Sequence, residues 1–223
     1  KKDDKFKRLA NDLSPIRRDH WENLYLQSSI PLNLADVFSV IDFGSGRNLS
    51  KSIVEHFGMK YSTVDVVDDY NPDFISPIKY NISGLNKADF VGCYQCLEHN
   101  AFEEFADLLT ILSSYSNKYV CISLPYDGAY FSLKLSLRFP LIRKRLSLFL
   151  NKCGFAGRDI FIEKEKLEKE PYRHHRWEVG RPSFPIKKII KVAEDKAGLK
   201  LSKIDFNKIY ASHIFFLFTK KGN

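Results

Sequence analysis

Two acidic residues with a glycine turn between them form the part of this sequence best suited to binding a cofactor. An apolar run ends at Asp42, a turn containing Gly44 and Gly46 follows, and a second apolar run ends at Asp65. Glycine lets the backbone turn tightly and approach a ligand closely. A carboxylate at the end of the second run can accept hydrogen bonds from both hydroxyls of a ribose. This order predicts a βαβ unit that binds a nucleoside-bearing cofactor.

The glycine pair alone leaves a second interpretation open. Gly-x-Gly also occurs in ordinary turns between a strand and a helix, and Leu49 stands where the third glycine of a dinucleotide-binding loop would be. The rest of the chain has to decide between a ligand-binding loop and a simple turn.

Cysteine spacing offers another possible chemistry. Cys93 and Cys96 are spaced like a redox or metal-binding pair, but the remaining two cysteines, Cys121 and Cys153, form no second pair of this kind. We therefore interpret Cys93 and Cys96 as reduced and partly buried, which fits a cytoplasmic protein, and we predict no metal site.

Composition limits the classes to which the chain can belong. Of its 223 residues, 44% are hydrophobic and 14% aromatic, which suits one large core and argues against disorder. Lys and Arg number 35 against 27 Asp and Glu, so the net charge is +8. Such a charge favours an anionic partner: nucleic acid, a membrane surface or a phosphorylated substrate.

Hydrophobic spacing predicts alternating strands and helices. Strands are predicted for the apolar runs 37–42, 61–67, 89–94, 118–124, 201–210 and 213–219. Helices are predicted for the segments 48–57, 102–115 and 183–197. This alternation predicts an α/β fold with a doubly wound, mostly parallel sheet. We divide the chain into an N-terminal helical extension, 1–36, and a single domain, 37–223, with an insertion at about 126–182.

A short signature follows the strand predicted at 89–94. It reads Cys96-Leu97-Glu98-His99. With the Asp-Phe-Gly-Ser-Gly loop, Asp65 and the two C-terminal strands, it resembles the class I S-adenosylmethionine-dependent methyltransferases, and more closely the branch with a Leu-Glu-His signature after strand four. The resemblance implies a Rossmann-like, seven-stranded sheet with an antiparallel last strand, and S-adenosylmethionine as cofactor.

The resemblance also implies cofactor-binding roles near the loop. Asp42 would lie near the amino group of the cofactor, and Gly44 and Gly46 would let the backbone pass its methionine portion. Asp65 would bind the ribose hydroxyls, and Val66 would pack on the adenine.

Four further residues would complete the cofactor site. Asn81 stands where many members of the family carry an acid that accepts from the adenine amino group, and an amide oxygen can accept equally well. Ile82 would lie beside the ring. Gln95 and Cys96 would face the sulfonium and its methyl group.

Three histidines are candidates for catalysis. Methyl transfer to a hydroxyl needs an oriented acceptor and removal of a proton, and histidine is the usual base near neutral pH. His99 belongs to the signature, whereas His174 and His175 open a polar and aromatic cluster after the insertion. Each could instead be structural, with His99 starting a helix and the other two in a solvated loop.

The insertion is strongly basic. Residues 128–158 contain seven Lys and Arg and no Asp or Glu, interleaved with leucine and phenylalanine. We predict a basic helical lid, which either packs its apolar side on the domain or makes peripheral contact with an anionic membrane, at its inner face.

The predicted function is methyl transfer from S-adenosylmethionine, with O-methylation of a small-molecule or glycan-intermediate acceptor in the cytoplasm. An RNA methyltransferase is the alternative that the charge favours, although nucleic acid is a less expected partner because the chain lacks an Asn-Pro-Pro-Tyr motif for flipped bases. A non-catalytic scaffold protein of the same fold is the third alternative.

Overall fold

The computed structural model describes residues 18–47, 49–128, 130–139, 144–153, 175–208 and 212–222. The strands, in chain order, are β1 (Ser39–Phe43), β2 (Lys60–Asp65), β3 (Phe74–Ile75), β4 (Ala88–Tyr94), β5 (Ser116–Pro125), β6 (Tyr130–Phe139), β7 (Lys144–Cys153), β8 (Leu199–Phe206) and β9 (His213–Lys220). The helices are α1 (Arg18–Leu32), α2 (Leu49–His56), α3 (Phe105–Tyr115) and α4 (Ile186–Lys196).

Seven of these strands form one sheet, in the order β3-β2-β1-β4-β5-β9-β8. The first five are parallel to their neighbours, whereas β9 is antiparallel to both β5 and β8. The predicted seven-stranded, mostly parallel α/β sheet is therefore confirmed. Parallel strands need crossover connections, and α2 and α3 supply two of them.

Helices cover both faces of the sheet. Successive residues of a strand point to opposite faces, so Val40 and Ile41 enter different cores. Ile41 belongs to the core under α3 and α4, and Val40 to the core under α1 and α2. Burial on both sides explains why these strands read as unbroken apolar runs.

Helix α1 is attached to the C-terminal part of the sheet by polar contacts. The Oδ1 of Asn23 accepts a hydrogen bond from the side-chain amide of Asn207 at 2.7 Å. The amide nitrogen of Asn23 lies 3.2 Å from the Nδ1 of His213, at the start of β9. These contacts fix α1 beside the loop after β1. Within the described residues, no helix has both the length and the apolar character to cross a bilayer.

The insertion differs from its prediction. Strands β6 and β7 pair in antiparallel register from Tyr130 opposite Cys153 to Phe139 opposite Lys144, and together they form a separate two-stranded sheet. The prediction of a helical insertion is wrong for these residues. Apolar and polar residues alternate one by one from Phe131 onward, which is the period of a strand. Contact of this basic insertion with an anionic membrane stays a prediction.

After the insertion the chain returns to the end of β5. The amide of Val179 donates to the carbonyl of Pro125 at 2.9 Å, and the amide of Asp127 donates back to Val179 at 2.9 Å. Trp177, which is 1% exposed, donates from its indole to the carbonyl of Asn100 at 3.1 Å. This return segment, 175–184, is thereby held against the turns that follow β4.

Trp177 should be a major source of stability for this arrangement. Its ring packs edge-on against Phe102 and Phe105, with centroids 5.1 Å away in each case. We expect Trp177→Ala to lower the free energy of unfolding by about 3–5 kcal/mol, because a large cavity and an unpaired carbonyl remain. Urea titration followed by far-UV circular dichroism measures this.

The control is the other tryptophan of the chain. Trp21 is 51% exposed, so Trp21→Ala should change the free energy of unfolding by no more than about 0.5 kcal/mol. Equal effects of the two substitutions would contradict the anchoring role of Trp177.

Candidate cofactor pocket and adjoining histidine pair

The loop after β1 needs both of its glycines. Gly44 and Gly46 have φ angles of +72° and +53°, in the left-handed region. At Gly44 there is also no room for a side chain, because an added Cβ would lie 2.8 Å from the Sγ of Cys96. The loop after β1 thus packs directly on the residues that follow β4.

Asp65 ties this loop to the loop after β2. One of its carboxylate oxygens accepts from the amide of Gly46 at 2.9 Å, and the other accepts from the amide of Val67 at 2.9 Å. A carboxylate has about four acceptor positions. Positions therefore remain on Asp65 for the hydroxyls of a ligand.

A cavity of about 350 Å³ opens between these loops. Its lining residues are Gly44, Gly46, Asp65, Val66, Val67, Tyr70, Ser76, Pro77, Ile78, Lys79, Gln95, Cys96, His99, Asn100 and Leu108. Six of the nine predicted cofactor residues are in this set: Gly44, Gly46, Asp65, Val66, Gln95 and Cys96. The predicted catalytic residue His99 lines the same cavity.

Three predicted cofactor residues, Asp42, Asn81 and Ile82, are not among the residues that line the cavity. Asp42 is buried, and its Oδ2 accepts from the hydroxyl of Tyr61 at 2.9 Å. The Oδ1 of Asn81 accepts from the hydroxyl of Tyr115 at 3.0 Å, and that hydroxyl also accepts from the amide of Ile82 at 2.8 Å. Asn81 and Ile82 are thus joined to the end of α3 through one tyrosine.

The sequence analysis did not identify the segment 76–79 as part of the site. Strand β3 ends at Ile75, so the residues that enter the cavity after it are Ser76 to Lys79, several positions before Asn81. The Ser76-Pro77 turn was visible in the sequence. A strand of only two residues gives too short an apolar run to locate its end.

Gln95 lies at the boundary between this cavity and a second one. Its φ of +52° is unusual for a residue with a side chain, and its amide donates to the carbonyl of Ser123 at 3.0 Å. The second cavity, of about 300 Å³, lies between α1 and the loop after β1. Its lining residues are His20, Asn23, Leu24, Gln27, Ser45, Arg47, Leu49, Ser50 and Gln95. The positive φ angle of Gln95 is a strained backbone conformation, and such conformations concentrate at functional sites.

His99 and His175 lie side by side although they are distant in the sequence. Their ring centroids are 5.4 Å apart. The Nδ1 of His175 is 3.0 Å from the Oε1 of Glu178, and this hydrogen bond raises the pKa of His175 above its ordinary value. The same contact lowers the pKa of Glu178. His174, the third predicted catalytic residue, lies outside the described residues.

Glu98 completes this group. Its side chain is fully buried, and its Oε1 is 4.0 Å from the Nε2 of His175. Burial raises the pKa of Glu98 to about 7. The sequence analysis assigned no separate role to Glu98, which was only part of the Leu-Glu-His signature. Its proximity to His175 depends on the path of the return segment.

The predicted state of the cysteine pair agrees with the structure. Cys93 is buried, Cys96 is half-buried, and both are free thiols. Cys96 contacts the glycine loop and lines the cavity, whereas Cys93 belongs to the core of β4.

No family model and no curated protein matches this sequence. Solved structures do match. The magnesium protoporphyrin IX methyltransferase ChlM from Synechocystis PCC 6803, with bound SAH, has 13% sequence identity and a TM-score of 0.57, and the match covers 98% of this chain and 94% of that one.

Two further solved structures show the same similarity. The 1,6-didemethyltoxoflavin-N1-methyltransferase from Burkholderia thailandensis has 15% identity and a TM-score of 0.55, over 95% of this chain and 87% of that one. The N-methyltransferase NodS from Bradyrhizobium japonicum WM9 has 6% identity and a TM-score of 0.57, over 92% and 89%. At these identities the likeness shows that the chain has the Rossmann-like fold of these methyltransferases.

The ionisation of Asp42 gives a prediction of pH dependence. Burial, opposed by the hydrogen bond from Tyr61 and reinforced by Asp65, raises the pKa of Asp42 from 3.8 to about 7. A carboxyl group of this kind contributes stability below its unfolded pKa, and that contribution is lost as the pH rises through about 7. The free energy of unfolding should therefore fall as the pH rises from about 3.8 to about 7.

The isosteric substitution Asp42→Asn isolates this contribution. Its amide stays neutral, and its oxygen can still accept from Tyr61. Urea unfolding across the same pH range should give a shallower fall than in the wild type, with the remaining slope coming from groups such as Glu98. Identical slopes would show that Asp42 does not carry the raised pKa.

Proposed function

We propose that this protein is an S-adenosylmethionine-dependent methyltransferase that methylates a hydroxyl of a small-molecule or glycan-intermediate acceptor. The observation that carries the proposal is one cavity in which the glycine loop, Asp65 and Val66 meet Gln95, Cys96 and His99. The similar solved structures support it, since all three described above contain the demethylated cofactor.

The cavity suits the parts of the cofactor. Asp65 has acceptor positions left for two ribose hydroxyls, and the exposed side chain of Val66 offers an apolar surface for the adenine. The loop around Gly44 and Gly46 leaves space for the methionine portion. Gln95 and Cys96 then face the reacting methyl group from the end of β4.

The second cavity is a suitable place for part of the acceptor. It adjoins the first at Gln95, so a molecule bound there can reach the methyl group. Its volume of about 300 Å³ is of the size that drug-like ligands occupy. Among the similar structures, the 1,6-didemethyltoxoflavin-N1-methyltransferase contains the bound small molecule 1,6-didemethyltoxoflavin.

The reaction itself is an in-line displacement. A lone pair of the acceptor oxygen forms a bond to the methyl carbon, the bond from that carbon to sulfur breaks, and its electrons stay on sulfur to give S-adenosylhomocysteine. The hydroxyl proton must leave the oxygen. We assign the handling of this proton to His99, which lines the cavity, and to His175, whose ring lies beside that of His99.

Two other functions remain as alternatives to be separated by experiment. An unbiased test incubates the protein with cofactor labelled on the methyl group and with fractionated cell extract. Label in a small organic product supports the proposal, and label in RNA would replace it with an RNA methyltransferase. Cofactor binding by calorimetry without label transfer to any fraction would favour a non-catalytic binding protein.

Asp65 gives the first functional prediction. We expect Asp65→Ala to weaken S-adenosylmethionine binding strongly, because each lost hydrogen bond to a carboxylate is worth about 1.5–3 kcal/mol, and because Gly46 loses its anchor. Isothermal calorimetry measures the change. Asp68→Ala is the matched control, since Asp68 is exposed on the same loop and does not line the cavity. Unchanged affinity in Asp65→Ala would defeat the assignment.

His175 gives the second functional prediction. We expect His175→Ala to lower turnover about 10²–10⁴-fold while S-adenosylmethionine affinity is kept, because the side chain acts on the acceptor's proton rather than on the cofactor. Single-turnover assays and calorimetry on the same preparation separate the two effects. His56→Ala, at the end of α2, serves as the control. A normal rate in His175→Ala and in His99→Ala would remove both residues from the mechanism.

A further inference from the structure

The buried carboxylate of Glu98 has an unusual environment. Its side chain is 0% exposed, and neither oxygen has a hydrogen-bond donor among the described residues. Leaving a buried carboxylate without donors is costly, so such groups are normally paired or bound to a metal. Among the described residues, the imidazole of His175 lies near this carboxylate, but at 4.0 Å the contact is too long for a hydrogen bond.

Two imidazoles stand beside this carboxylate. One potential ligand atom from each of Glu98, His99 and His175 can be chosen so that all three lie within 4.8 Å of one another. Ligands about 2.0–2.2 Å from a common ion lie roughly 3–3.5 Å apart. The three side chains therefore need to move together by only about 1 Å to hold one ion.

His175 is already oriented as a metal ligand. Its Nδ1 is bonded to the Oε1 of Glu178 at 3.0 Å, which requires a proton on Nδ1, and its Nε2 then presents a lone pair towards Glu98. Metal-bound histidines commonly donate their other ring nitrogen to a carboxylate in this way. Glu178 is held in turn by Arg181, whose Nη2 lies 3.4 Å from its Oε2.

The backbone around the three residues is also fixed. The amide of Arg176 donates to the carbonyl of Glu98 at 2.9 Å, so the return segment is bonded to the turn after β4. Trp177 donates to the carbonyl of Asn100 on the other side of His99. The ligands thus come from two segments that are joined at both ends of the site.

From this arrangement we propose that Glu98, His99 and His175 bind one divalent transition-metal ion next to the cofactor cavity. Two imidazoles and one carboxylate suit borderline ions such as Zn²⁺, Fe²⁺ or Co²⁺. Three protein ligands leave at least one coordination position open. Because His99 lines the cofactor cavity, the ion would lie next to that cavity.

The catalytic meaning of the ion rests on the proposed function. The ion would lower the pKa of an acceptor hydroxyl next to it, because a metal stabilises an alkoxide or phenolate. The hydroxyl proton would pass to water, and the acceptor oxygen would form its bond to the methyl carbon as the carbon–sulfur bond breaks and its electrons stay on sulfur. The two histidines would in this case act on the proton through the ion.

The sequence analysis predicted no metal site. Glu98 and His99 are adjacent, but the third ligand follows a long insertion, so no spacing motif exists to reveal the set. The site emerges only when the return segment packs against the turn after β4.

Metal binding can be tested without any acceptor. Metal-free protein is titrated with Co²⁺ and followed by its visible d–d absorption, and with Zn²⁺ by competition against a chromogenic chelator. We expect one equivalent to bind per chain. Glu98→Gln and His175→Ala should each lower the affinity by more than the roughly 10–100-fold expected for Glu178→Ala, which removes only the partner of a ligand.

The controls fix the interpretation. His56→Ala should bind the ion as the wild type does, and far-UV circular dichroism should show that Glu98→Gln, which keeps the volume of the side chain, is folded. Absence of a one-equivalent site in the wild type would overturn the proposal. So would Co²⁺ affinity that is equal in the wild type, Glu98→Gln and His175→Ala.

Activity separates this proposal from the proposed function. One-equivalent metal binding in a protein that transfers no methyl group to any fraction would support the metal site and reject the methyltransferase. Methyl transfer that survives chelation and the Glu98→Gln substitution would support the methyltransferase and reject the metal site as proposed. His175 would then act directly as a base.

Discussion

The carboxylate of Asp65 sets the geometry on which the whole site depends. It joins the loop after β1 to the loop after β2 by accepting one amide from each. The glycine loop in turn contacts Cys96 so closely that no Cβ fits at Gly44. Loops from three parallel strands are therefore locked together at the carboxyl edge of the sheet, where open α/β sheets bind their ligands. A single side chain thus joins the loops around the cavity and is itself part of the cavity lining.

The charged groups buried at this edge of the sheet are acidic, whereas the chain as a whole carries a net positive charge. The net charge is +8, and the sequence analysis took this as a sign of an anionic partner. Yet the carboxyl groups of Asp42, Asp65 and Glu98 are all buried around the site. Burial, with a smaller contribution from neighbouring carboxylates, raises the pKa of two of them, Asp42 and Glu98, to about 7. A positively charged group bound next to these carboxyl groups would offset the cost of burying them, whatever the sign of the net charge of the chain.

The parts of the fold that were predictable are those with local causes. The apolar runs that are buried on both faces of the sheet predicted β1, β2, β4 and β5. The order of an acidic residue, two glycines and a second acidic residue predicted the loop after β1. Long-range packing decided the rest. His175 reaches Glu98 only because Val179 and Trp177 bond to the ends of β5 and the turn after β4. The insertion was misjudged for a different reason: its basic and apolar content was weighed, but its alternation, which indicates strands, was not.

The position of β9 bears on how the chain folds as it is synthesised. This strand is the last described element in sequence, yet it lies between β5 and β8 in the sheet. Until β9 has left the ribosome, β5 has an unpaired edge, and unpaired strand edges can pair with other chains. Helix α1, the first described element, makes its polar contacts with Asn207 and His213 and so cannot dock earlier. The nascent protein thus completes its sheet, and covers it with α1, only after β9 has been synthesised.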